Sequence, residues 1–75
     1  MTAIEIIQAI MSDSNTSMSE LAEYADLGTK ENVYQKLKRN DLKVGTFVKM
    51  LESMGFQLVV QSTETTVDEF VVDYD

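Results

Sequence analysis

Thr2 is followed three residues later by Glu5, and Ser17 is followed three residues later by Glu20. Each pair is a capping box, in which a hydroxyl accepts from the backbone N–H of the third helical residue and the carboxylate reaches back to the N–H of the cap. Two helix starts this close together leave room for only a short helix between them. The chain is therefore committed to short helices that are stabilised by packing on one another, because isolated helices of this length are marginal in water.

The apolar spacing agrees. In "TAIEIIQAIM" Ile4, Ile7, Ile10 and Met11 recur at helical period, with Ile6 at the edge of the stripe. "SDSNTS" reads as a polar break. In "MSELAEYA" the inward set is Leu21, Ala22 and Ala25, and "DLG" ends the segment, with Gly28 free to take positive φ. Thr29 is the expected N-cap of "KENVYQKLKR", whose only clear apolar residues are Val33 and Leu37, four apart. Such a helix is held by one narrow stripe and leaves its other faces free. "NDLKVG" reads as a loop with Leu42 and Val44 plugged inward, and "TFVKMLESM" as a fourth helix with Phe47, Val48, Leu51 and Met54 inward and Gly55 at its end. At these spacings Met11, Met18, Met50 and Met54 are core filler.

The period then changes from 3.6 to two. In "FQLVVQ" Phe56, Leu58 and Val60 share a face expected to cover the helices, and in "EFVVDY" Phe70, Val72 and Tyr74 share another. Two alternating runs joined by a polar link suggest a β-hairpin. The expected architecture is mainly α with a small C-terminal β element. It comprises four to five helices over residues 1–61, then an acidic segment, 62–75, that is either a second strand or a frayed tail.

Composition limits the chemistry. The 75 residues contain neither cysteine nor histidine. That removes the thiolate, the usual base near neutral pH and the commonest metal ligand, and no Gly-rich phosphate loop is present. The reading is not an enzyme, with no cofactor and no metal. No apolar run has the ~18 residues of a membrane span, nothing resembles a signal peptide, and the lack of cysteine fits the cytoplasm.

Charge is distributed unevenly. All six basic residues, Lys30, Lys36, Lys38, Arg39, Lys43 and Lys49, lie between residues 30 and 49, opposed there only by Glu31 and Asp41, so this window is net +4 in a chain of net −7. A basic stripe of this kind is the footprint expected of a nucleic-acid surface, or simply a solvated helix face.

Residues 19–60, "SELAEYADLGTKENVYQKLKRNDLKVGTFVKMLESMGFQLVV", resemble the lambda-repressor-like, Cro-type helix-turn-helix family of bacterial and phage regulators. The resemblance rests on Leu21–Ala22, Leu27 in the turn, Val33 and Leu37 on the second helix, "LKVGTFVKMLESMG", and "FQLVV" as a following strand. The chain departs from the family at Asp26, where glycine is usual, and in a turn that reads one residue long.

The resemblance implies a helix-turn-helix over 18–39 and a sequence-specific, DNA-binding transcriptional regulator acting on double-stranded DNA as a homodimer. Lys30, Glu31, Tyr34, Gln35 and Lys38 would be the base-reading residues, and Thr29, Arg39, Asn40, Lys43 and Thr46 the phosphate contacts. Dimerisation would fall to Val59, Gln61, Phe70, Val71 and Val72. The alternative is a protein-binding module on the same fold, antitoxin-like or a phage inhibitor, that engages a protein partner through its acidic surface.

Overall fold

The computed structural model describes residues 1–39, 42–63 and 69–73. Along them run four helices, α1 (Ala3–Ser14), α2 (Met18–Tyr24), α3 (Lys30–Arg39) and α4 (Val44–Ser53), followed by strands β1 (Leu58–Gln61) and β2 (Glu69–Val72). Asn40 and Tyr74, both named above, lie outside the described residues.

Both capping boxes form. Thr2 Oγ1 accepts from the Glu5 N–H at 3.2 Å while Glu5 Oε1 accepts from the Thr2 N–H at 2.9 Å. Ser17 and Glu20 repeat the exchange at 3.1 and 3.0 Å. Thr29 caps α3 more simply, its Oγ1 accepting from the Asn32 N–H at 3.3 Å.

Three helices end in the same way, each in a left-handed residue: Asn15 after α1 (φ 56°), Asp26 after α2 (φ 54°) and Gly55 after α4 (φ 85°). In each, the N–H of the next residue reaches back five positions: Thr16 to the Met11 carbonyl, Leu27 to that of Ala22 and Phe56 to that of Leu51. This is the Schellman arrangement, and Asn, Asp and Gly are the residues that take the left-handed conformation at least cost.

The core gathers Ile7 from α1, Leu21, Ala22 and Ala25 from α2 and its end, Val33 and Leu37 from α3, and Phe47, Met50 and Leu51 from α4. Helix α2 lies against α3 and α4, and α1 against α4. The strands pair antiparallel with Leu58 opposite Val72, Val59 opposite Val71, Val60 opposite Phe70 and Gln61 opposite Glu69. Directly opposed residues share a face. Leu58, Val60, Phe70 and Val72 therefore line one side of the hairpin, and Val59, Val71, Gln61 and Glu69 the other.

Three expectations need correction. Helix α1 runs through Ser12, Asp13 and Ser14 rather than breaking there. Its exposed face tolerates polar residues, and Ser14 Oγ donates to the Ile10 carbonyl at 2.7 Å. Val44 is the first residue of α4 and is 62% exposed, not plugged inward, whereas Leu42 does pack on the core. Phe56 and Val60 do not cover the helices, and Leu58 alone of that face joins the core. Phe56 precedes β1, and Val60 is opposed by the exposed Phe70 rather than by a core residue. The expected hairpin does form, with residues 69–72 as its second strand.

Ala22 is 2% exposed where α2 meets α3, and its small side chain allows the two backbones to approach. Ala22→Leu is expected to overpack this junction at a cost of about 1–3 kcal/mol. Thermal melting checks it, and an unchanged melting temperature would show that the two helices do not meet at this residue.

Candidate nucleic-acid interface

Helix α3 buries Val33 and Leu37 and turns most of its remaining residues to solvent. At 3.6 residues per turn, Glu31, Gln35, Lys38 and Arg39 fall on the face opposite that stripe, Tyr34 on its flank, and Lys30 in the first turn beside the stripe. All five expected base-reading residues are exposed. Tyr34 is 49% exposed rather than packed away, and Lys38 Nζ lies 5.9 Å from the centroid of its ring. That is the outer edge of cation–π range, where an exposed pair contributes about 0.5–1 kcal/mol.

The link from α2 to α3 fixes how this face is presented. Asn32 Nδ2 donates to the Leu27 carbonyl at 2.8 Å, which ties the first turn of α3 to the chain that precedes it. Gly28 takes φ 86° in this link, and a Cβ there would come 3.7 Å from the same Asn32 amide. Lys49 on α4 reaches the Asp26 carbonyl at 3.5 Å. These contacts hold the turn from both sides. Asn32 was not among the residues singled out from sequence, and its only advance signal was an amide just after a Gly-Thr turn.

Two concavities flank α3. At its C-terminal end Lys36, Arg39, Leu42, Lys43 and Thr46 enclose a groove of about 250 Å³. Three expected phosphate contacts, Arg39, Lys43 and Thr46, come together here, although they lie on two helices and the link between them. Lys36 joins them, and sequence reasoning missed it. Among the described residues no carboxylate lines this groove. Lys43 is also the residue that precedes α4, and its side chain makes no capping bond. The uncapped N–H groups and the positive end of the α4 dipole add to the cationic character of the site. Thr29, the remaining described phosphate candidate, stands apart at the other end of α3.

At that other end Met18, Lys30, Glu31, Tyr34 and Gln35 enclose a second concavity of about 240 Å³. Four expected base-reading residues line it, joined by Met18 from the first turn of α2.

The expected dimer residues are all on the hairpin. Val59 and Val71 face each other across one side, 50% of Val71 being open to solvent, and Phe70 is 66% exposed. Val72 is partly covered, and Gln61 Nε2 donates to Glu69 Oε1 at 2.7 Å.

Among the described residues there is no grouping of acidic, histidine or cysteine side chains that could hold a metal ion, and no helix long and apolar enough to cross a membrane. Comparison with protein-family models, with curated proteins and with solved structures returns no match.

The cap at the start of α2 includes a titrating group. The Glu20 carboxyl is held below its ordinary value, first by the hydrogen bond from the Ser17 backbone N–H and then by the Ser17 hydroxyl. A depressed carboxyl contributes stability above its unfolded pKa and loses it as pH falls through the folded one. A carbon-detected NMR titration is expected to find Glu20 ionising below the ordinary glutamate range, and Ser17→Ala to move it upward. Identical titration in both proteins would contradict the capping box.

Proposed function

We propose that this chain is a sequence-specific DNA-binding regulator of the lambda-repressor-like, Cro-type helix-turn-helix class, with α2 and α3 as the helix-turn-helix and α3 as its reading helix. The observation that carries the reading is the cationic groove of Lys36, Arg39, Lys43 and Thr46 beside the outward polar face of α3. Two kinds of contact are needed on duplex DNA: cations on phosphates fix register, and polar side chains on base edges read sequence. Here the two sets are adjacent, with α3 presenting the polar face and sharing the cationic groove with Lys43 and Thr46.

The helix junction supports the same class. The resemblance calls for glycine four residues after the small Ala22, and Asp26 at that position adopts the left-handed conformation for which glycine is usual. Gln35 has the geometry to pair bidentately with adenine, Lys30 and Lys38 to reach guanine, and Glu31 to accept from cytosine. The net negative charge of the chain is no obstacle, since screening confines each charge to about 8–10 Å at physiological salt.

A helix-turn-helix reads one half-site, and two-fold pairing sets two reading helices ~34 Å apart. The hairpin provides a surface for that pairing. Val60 and Phe70, directly opposed on one face, are 54% and 66% exposed, and among the described residues β1 and β2 form a two-stranded sheet. A two-stranded sheet is marginal alone and leaves edges to cover. A second copy would bury both edge and face.

Electrophoretic shifts on a site selected from random duplexes test the reading. Removing the charges of Lys30, Lys38 and Lys43 together is expected to abolish binding, and unchanged binding would show that the surface lies elsewhere. Lys43→Gln alone is expected to weaken all sequences alike and to reduce the salt slope by about one, the signature of a lost phosphate contact. Gln35→Ala is expected to change which sequence is preferred, at about 1–3 kcal/mol.

The dimer has its own test. Phe70→Glu is expected to shift the chain from dimer to monomer in sedimentation at micromolar concentration and to weaken binding to a palindromic site. Sedimentation as a monomer before the substitution, with tight binding to a single half-site, would contradict it.

A further inference from the structure

The concavity at the start of α3 is unlike the rest of that helix face. The outward residues of α3 are Lys, Glu, Asn, Gln and Arg together with one aromatic, yet here the thioether of Met18 and the ring of Tyr34 supply apolar walls to a space of about 240 Å³. Met18 is partly buried against the core, so its position is fixed by packing. Lys38 Nζ lies over the Tyr34 ring. Two apolar groups thus stand on a polar surface, with Lys30, Glu31 and Gln35 around their rim.

The major groove of DNA offers hydrogen-bond donors and acceptors at every base pair, and one kind of apolar group, the methyl on C5 of a pyrimidine. A surface built only to hydrogen-bond bases or attract phosphates would not need an apolar recess. The rim chemistry is consistent with the base that carries such a methyl. The Lys30 ammonium donates, as the O4 acceptor of thymine requires, and the Glu31 carboxylate accepts, as the N4 amino group of 5-methylcytosine requires. Gln35 also lines the recess, and a glutamine amide is able to pair with adenine.

We infer that the recess between Met18 and Tyr34 reads the 5-methyl group of a pyrimidine in duplex DNA. The inference rests on the DNA-binding reading above and adds to it a determinant outside the reading helix, since Met18 belongs to α2. Seating one methyl there is expected to contribute about fourfold in affinity at each half-site, the ratio that corresponds to burying one methyl-sized group.

The test uses the full chain and a duplex site selected from random sequence. Each thymine in turn is replaced by uracil, which removes only the methyl, and each cytosine in turn by 5-methylcytosine, which adds one. Loss of about fourfold at a single thymine of the half-site assigns the recess to thymine, and a gain of that size at a single cytosine assigns it to 5-methylcytosine. In either case Met18→Ala is expected to erase the difference between the methylated and unmethylated duplexes. Because Met18 also packs on the core, Tyr34→Ser serves as a second variant that does not disturb the interior, and it is expected to erase the difference too. Binding that ignores every methyl, or a methyl effect that survives both substitutions, would overturn the inference while leaving DNA binding intact. Absence of binding to any duplex would overturn the DNA-binding reading, and this inference with it.

Discussion

Everything this surface presents depends on the burial of Val33 and Leu37 against the small residues at the end of α2. Helix α3 is polar on every other side, so these two residues are its only substantial apolar attachment, and both sit in the core with Leu21, Ala22 and Ala25. Ala22 and Ala25 have so little side chain that α3 can come close, which makes two buried residues sufficient. A helix held by a wide apolar face would have fewer positions left for recognition. A helix held by none would not form at this length.

The turn transmits that attachment into orientation. Asp26 reverses the chain by taking a left-handed conformation, Gly28 takes a second positive φ, Thr29 caps α3, and Asn32 reaches back to Leu27. Each fixes one degree of freedom between α2 and α3. Lys49 draws α4 into the same junction. The start of α4 then lies beside the end of α3, where Lys43 and Thr46 meet Lys36 and Arg39. The cationic groove is thus a product of helix packing and not of any local motif.

This explains what the sequence disclosed and what it did not. The helices were legible because their signals are local. Capping boxes mark α1 and α2, Thr29 marks α3, and the apolar period places Ile7, Leu21, Val33, Leu37, Phe47 and Leu51 inward. The concentration of basic charge was visible too. Tertiary adjacency was not: no spacing rule joins Lys36 to Lys43, or Met18 to Tyr34, across two elements. Val44 misled because one apolar residue beside a helix start has no period to orient it. Phe56 and Val60 misled for a different reason. Alternation establishes which residues of a strand share a face, and it carries no information on what covers that face.

The central claim is that the open face of α3 and the groove at its C-terminal end meet duplex DNA. The most direct measurement is an NMR titration of the uniformly ¹⁵N-labelled chain with generic duplex DNA at low salt. Amide shifts are expected to concentrate in residues 29–39 and 43–46, to retreat as salt is added, and to leave the exposed face of α1 unmoved. Shifts confined to α1 or the hairpin, or none at all at low salt, would contradict that claim.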